Sequence, residues 1–106
     1  MSLREAQERV DQWIGQYKEG YFSPLTNLAR LTEEVGELAR ELNHQFGEKP
    51  KRPGEPAGSI AMELADVLFV VICLANSQRI DLDRAFDAMM AKVTARDGDR
   101  WTRKER

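Results

Sequence analysis

The chain has 106 residues, of which 42% are hydrophobic and 32% charged, with a formal net charge of −2; this is the size of one domain and the balance of a globular protein. So small a domain buries a modest share of its surface, which favours association with further copies. The near-neutral charge argues against a nucleic-acid binder working through backbone electrostatics, and a single cysteine with a single histidine excludes an intramolecular disulfide and a one-chain Cys/His zinc site.

Leu3, Ala6, Val10, Trp13 and Tyr17 recur at helical spacing, so an amphipathic helix is predicted over 3–18, with Trp13 in the core. Its charged opening, MSLREAQERV, has no apolar run behind it and does not resemble a secretion signal. Gly20 should stop this helix, and Pro24 suits the first turn of the next. That second helix is predicted over 24–46, with Leu28, Leu31, Val35, Leu38, Leu42 and Phe46 as its apolar stripe and Gly47 as its stop. The segment GEKPKRPGEPAGS holds three of the four prolines and three of the seven glycines, so 47–58 reads as a loop.

A third helix is predicted over 59–77. From Val67 to Ala75 it is apolar on every side, which predicts a central position with Cys73 in the core. That run is too short to span a bilayer, so no membrane association and a cytoplasmic location are expected. Asp81 should cap a fourth helix over 82–96, with Leu82, Phe86, Met89 and Val93 facing inward, before a basic tail at 97–106. No stretch alternates as a strand would. The predicted fold is all-α, a four-helix bundle.

The second helix gathers Glu33, Glu34, Glu37 and Glu41 in TEEVGELARE. With about 100° of rotation per residue, Glu34, Glu37 and Glu41 fall together beside the apolar stripe and Glu33 lies farthest round. A solvated face laced with pairs such as Glu37 and Arg40 is one reading. The third helix supplies the other. Glu63 and Asp66 share a face that continues into Val70 and Cys73, so Asp66 stands at the mouth of the most hydrophobic helix. A carboxylate there needs a cation, either an arginine such as Arg30 or Arg96, or a metal. Two helices that each offer an acid pair, Glu34/Glu37 and Glu63/Asp66, meet the needs of a hard cation, and all-oxygen donors point to Mg²⁺ or Mn²⁺. A di-iron bundle would want Glu-x-x-His pairs, and His44 stands in none; it reads as a solvated helix residue. Mg²⁺ usually completes its shell with substrate phosphates. Lys92 and Arg96, four apart on the fourth helix, are candidates to meet them, although basic residues near a helix C-terminus also suit its dipole. RPGEPAG lacks the Lys-Ser/Thr of a Walker loop.

EEVGE followed by ELAD, with EGYFSPL, FGEKPK, DVLFVVICLANS and RDGDRWTRK around them, resembles the MazG-type nucleotide pyrophosphohydrolases, whose hallmark is EExxE…ExxD, and in particular their short single-domain, YpjD-like members. The resemblance covers nearly the whole chain. It implies the all-alpha NTP pyrophosphatase fold, assembled as a homodimer or tetramer. It also implies Mg²⁺-dependent cleavage of (deoxy)nucleoside triphosphates between the α and β phosphates, giving monophosphate and pyrophosphate, with housekeeping of the nucleotide pool as the expected role. Carried over by motif, Glu34, Glu37, Glu63 and Asp66 hold the metal, Glu33 and Glu34 are the catalytic carboxylates with Glu33 placed to orient or deprotonate water, and Lys92 and Arg96 meet the triphosphate. Asn76 is a further substrate contact or a helix-end cap. Trp13, Tyr17, Tyr21, Phe22 and Trp101 are candidates to stack on the nucleoside. A related phosphoribosyl-ATP or dUTP/dCTP pyrophosphohydrolase would share the site. The rival reading is a non-catalytic helical interaction module with acidic surfaces.

Overall fold

The computed structural model describes residues 1–105, and all of their regular structure is helical: α1 (Leu3–Ile14), α2 (Pro24–Phe46), α3 (Ile60–Ser77) and α4 (Leu82–Asp97). Each helix begins on a side-chain oxygen that accepts the amide hydrogens the first turn cannot use. Ser2 caps α1 reciprocally with Glu5, Ser23 caps α2 ahead of Pro24, Ser59 caps α3, and Asp81 accepts from the amides of Asp83 and Arg84 at α4. α1 closes at Ile14, four residues short of the predicted end, where the Gly15 amide bonds the Asp11 carbonyl. Gly20 lies beyond the helix in the turn, at φ +62°, a conformation open to glycine at no steric cost.

α3 is the central element, flanked by α1 and α2. Its Val70, Ile72, Cys73 and Ala75 are the buried apolar side chains. As a whole, α3 is long and apolar enough to cross a membrane, at 18 residues with a mean hydropathy of 1.9; the expectation from sequence had counted only its all-round apolar run. Of that stretch, 22% is buried within the chain. It is packed by α1 and α2, and Glu63 and Asp66 in its first two turns converge on carboxylates of α2.

α4 departs from the expected bundle. Its N-terminus is tied to that of α1: Arg4 pairs with Asp81 at 2.6 Å, and the Asp83 carboxylate accepts from the amides of Leu3 and Arg4. The buried Gln7 completes the joint, donating to the Asn76 side chain and the Ile80 carbonyl and accepting from the Leu82 amide. These polar ties fix where α4 starts, and nothing covers its far end. None of its residues is buried, and Phe86 and Met89, expected to face inward, are exposed with Met90. Leu28, Val35 and Leu42 on α2, and Leu64 and Leu68 on α3, are exposed as well. Trp13, expected in the core, is 52% exposed and stands edge-on to Tyr17 and Phe69. The chain is therefore an open assembly of four helices. Its radius of gyration is 17.7 Å, where a compact chain of this length has about 13 Å. It exposes 8804 Å² against about 6,000 Å² for a folded monomer of this mass.

Candidate metal centre

One ligand oxygen from each of Glu34, Glu37, Glu63 and Asp66 lies within 4.8 Å of the others. The spacing seen in sequence produces this directly. Each acid pair is three residues apart and so shares one helix face, and the packing of α2 on α3 brings the two faces together. Carboxylates this close repel one another. Among the described residues, none of the four forms an ion pair, and Glu34 Oε2 and Glu63 Oε2 are buried with no hydrogen-bond partner. Burial raises the pKa of Glu34 above its ordinary value, and the neighbouring Glu37, Asp66 and Glu63 add to the rise while Arg30 opposes it. Burial likewise raises Glu63, with Glu37, Asp66 and Glu41 adding and Lys51 opposing. Unpaired, desolvated carboxylate oxygens converging from two helices fit a hard divalent cation; hydrogen-bonding or arginine pairing would have satisfied them otherwise.

The same shifts set a pH dependence. A carboxyl whose pKa is higher in the folded than in the unfolded chain binds its proton more readily when folded, so the metal-free protein loses stability as pH rises above the ordinary value of 4.5. Metal-free protein should therefore melt at a higher temperature near about pH 5 than near about pH 8, as far as these two groups decide. Millimolar Mg²⁺ or Mn²⁺ should raise the melting temperature more at the higher pH, where the carboxylates are free to bind it. Differential scanning fluorimetry with and without EDTA measures both trends; a metal response independent of pH would contradict the assignment of these two groups.

Beside the cluster, the loop between α2 and α3 is pinned down. Lys51 Nζ lies 3.4 Å from Glu41 Oε2 and donates to the Pro56 carbonyl, and Arg40 pairs with Glu55. The His44 side chain is only 4% exposed; its Nδ1 meets the Lys49 carbonyl at 2.8 Å, and its Nε2 accepts from Arg40. His44 is thus a loop anchor rather than the solvated residue expected. Gly58 approaches so closely that a Cβ there would fall 2.1 Å from Glu41 Oε2. Glu41, expected on an open acidic side, is buried, and its bond from Gln45 followed by Lys51 holds its pKa low. Gly58 immediately precedes the Ser59 cap, so this close packing fixes where α3 begins and hence where Glu63 stands. Sequence reasoning passed over Lys51 and Gly58 because the Pro/Gly-rich loop shows no periodicity from which a partner on α2 could be read.

Other sequence candidates lie apart from the cluster. Glu33 is exposed and contributes no oxygen to it. Lys92 and Arg96 lie well down the unpacked α4, where Arg96 pairs with its neighbour Asp97; the cations whose charge acts on the acids are Arg30 and Lys51. Asn76 is committed to the fold, donating to the Gln7 carbonyl and the Tyr21 hydroxyl and accepting from Gln7 Nε2. Trp101 is exposed beneath the Arg100 guanidinium.

Of the aromatic candidates, Trp13, Tyr21 and Phe22 do converge. With Phe69, Arg30 and Asn27 they line a largely apolar cavity of about 250 Å³. The Tyr21 hydroxyl donates to Asp11, and burial pushes its pKa up to about 12. Arg30 lies over the Phe22 ring at 5.2 Å. The cavity adjoins the acids: Arg30 is one turn of α2 before Glu34, and Phe69 one turn of α3 after Asp66. Asn27 is 1% exposed; its Nδ2 donates to the Phe22 carbonyl, and its Oδ1 has no partner among the described residues. A buried acceptor left unpaired costs about 1–3 kcal/mol.

An all-helical fold that presents two facing acid pairs fits a divalent-cation site, and comparison with known proteins specifies the family. The MazG nucleotide pyrophosphohydrolase domain matches residues 22–101, and the chain belongs to that family of metal-dependent enzymes. It is 59% identical over 104 residues to the protein YpjD of Bacillus subtilis (strain 168), covering 98% of this chain and 94% of that one. The crystal structure of Bacillus subtilis YpjD superposes with a TM-score of 0.79 at 56% identity, over 87% of this chain and 94% of the other. The crystal structure of the Bacillus-conserved MazG protein, a nucleotide pyrophosphohydrolase, does so with a TM-score of 0.79 at 54% identity, over 93% and 96%.

Proposed function

We propose that the chain is a Mg²⁺-dependent nucleoside triphosphate pyrophosphohydrolase. On this reading it cleaves (deoxy)nucleoside triphosphates between the α and β phosphates, releases monophosphate and pyrophosphate, and serves nucleotide-pool housekeeping. The observation that carries the reading is the convergence of Glu34, Glu37, Glu63 and Asp66 with two buried oxygens unpaired. These four would hold Mg²⁺, with Mn²⁺ as a substitute; the ion would neutralise charge on the non-bridging phosphate oxygens. Glu33, next to Glu34 in the chain though outside the cluster, is assigned to orient the attacking water and accept its proton. Arg30, between the aromatic cavity and Glu34, lies where a nucleotide with its base in the cavity would bring its phosphates. Lys92 and Arg96 reach the triphosphate from a second copy of the chain, because α4 of the same protomer does not fold over the acids. The active form is thus a homo-oligomer, dimer or tetramer.

The test is a panel of nucleoside triphosphates with purified protein, with and without Mg²⁺, resolving monophosphate from diphosphate. Monophosphate and pyrophosphate in equal amounts, formed only with metal, are expected. Release of diphosphate and phosphate would place the cut at the wrong anhydride, and no turnover of any nucleotide would remove the reading.

A further inference from the structure

The face of α2 that carries Glu34 and Glu37 continues, one turn further on, to Glu41. Three carboxylates thus stand in one row, yet only the first two contribute oxygens to the cluster. What sets the third apart is Lys51. Its Nζ lies 3.4 Å from Glu41 Oε2 and is anchored by donating to the Pro56 carbonyl at 2.8 Å. The four acids of the cluster have no such partner among the described residues. Lys51 and Glu41 line a polar cavity of about 450 Å³ together with Glu37 and Glu63, two members of the cluster. Arg40 and Glu55 line it too, but they pair with each other at 3.6 Å and so offset one another. Without Lys51, the carboxylates of Glu37, Glu41 and Glu63 would face this space with no cation of their own. Oxygen donors so placed are what a divalent ion takes. An ammonium differs from such an ion in two ways. It carries half the charge, so it offsets Glu41 with less repulsion toward an ion held by the four acids. It also belongs to the chain and stays in place whatever the metal supply.

We infer that Lys51 is a positioning residue that bounds the metal centre: its ammonium neutralises Glu41 and bars a second divalent ion from the cavity shared by Glu37, Glu41 and Glu63. This rests on the metal assignment of the four acids above and is independent of which phosphate bond is cleaved. Glu41 is then the end of the acid row without being a ligand. The centre holds a single ion because the place of a second is taken by a side chain.

The test is the number of Mn²⁺ ions bound per chain, read from the electron paramagnetic resonance of free Mn²⁺ as metal is titrated into EDTA-stripped protein. The wild-type protein should saturate with one ion. Lys51→Met, which keeps the apolar stem and removes the charge, should take up a second. Lys51→Arg keeps a cation and should stay at one, and Lys51→Met combined with Glu41→Gln should return to one. Circular dichroism checks that each variant keeps its helices. A wild-type chain that binds two ions would overturn the inference, as would a folded Lys51→Met that binds only one. Should Lys51→Met not fold, Glu41→Gln decides alone. It should keep one ion and lose about tenfold less affinity than Glu37→Gln; an equal loss would make Glu41 a ligand and overturn the role of Lys51. The two readings fail separately. A wild-type protein that binds no Mn²⁺ removes the metal assignment and this inference with it, whereas one ion in both wild type and Lys51→Met removes this inference alone.

Discussion

Glu34→Gln is expected to abolish most turnover while making the metal-free protein more stable. The side chain keeps its size and its place on α2, so packing against α3 is retained. What changes is the charge: one carboxylate leaves a group of four whose ligand oxygens lie within 4.8 Å of one another. In the absence of metal that charge is a liability, since burial and then its acidic neighbours raise the Glu34 pKa. Removing it relieves repulsion and desolvation together, and the melting temperature in EDTA at neutral pH should rise by a few degrees. The cation loses a charged ligand, so turnover should fall on the order of 10²–10³-fold, as when one electrostatic contact to developing charge is lost. Asp66→Asn, which also removes one charge from the group of four, should lower turnover in the same way. Melting curves in EDTA and in Mg²⁺, beside single-turnover kinetics, make the measurement. Variants that lose stability in EDTA and activity in proportion would show the acids to be structural. Variants that keep both would show the cluster to be a charged face without function.

How far the sequence alone reaches is visible in where its expectations succeed. The four acids were legible because an i,i+3 pair on a helix shares a face whatever the tertiary structure, and two such pairs need only one helix packing to meet. The cap at Asp81, Pro24 in the first turn of α2 and the loop after Gly47 were legible for the same reason, being local chemistry. What failed was the placing of α4 and of the polar and aromatic side chains around it and α1. Periodicity gave α4 an apolar stripe, Leu82, Phe86, Met89 and Val93, but could not say whether that stripe meets its own chain or another. Phe86 and Met89 prove exposed. Trp13 was assigned to the core on the same reasoning and instead walls a cavity. Gln7 and Asn76, polar residues on helices, gave no outward sign that they bond to each other across 69 residues of chain. His44 and Lys51 took their roles from a loop without pattern.

The second large effect concerns assembly. A chain with four buried apolar side chains, exposed leucines along α2 and α3, and a fourth helix with no buried residue has left much of its hydrophobic surface without a partner. Each large apolar side chain brought from water to a contact contributes about 1.5–3 kcal/mol, so covering these faces with a second copy is strongly favoured. The double substitution Phe86→Glu and Met89→Glu places two charges on the exposed face of α4. Phe86 and Met89 are 49% and 37% exposed and neither belongs to the buried core, so far-ultraviolet circular dichroism should show the four helices largely retained. Sedimentation should show dissociation, because a charge buried without a partner costs far more than the contact it replaces. If Lys92 and Arg96 reach the phosphates from a neighbouring copy as proposed, turnover should fall about 100-fold or more in step with assembly. The substitutions lie far along the sequence from the acids, so Mn²⁺ binding, followed by electron paramagnetic resonance, should weaken much less than turnover. A protein that sediments as a monomer while fully active would refute the shared site, and one that stays assembled with normal activity would place the interface on the leucine faces of α2 and α3 instead.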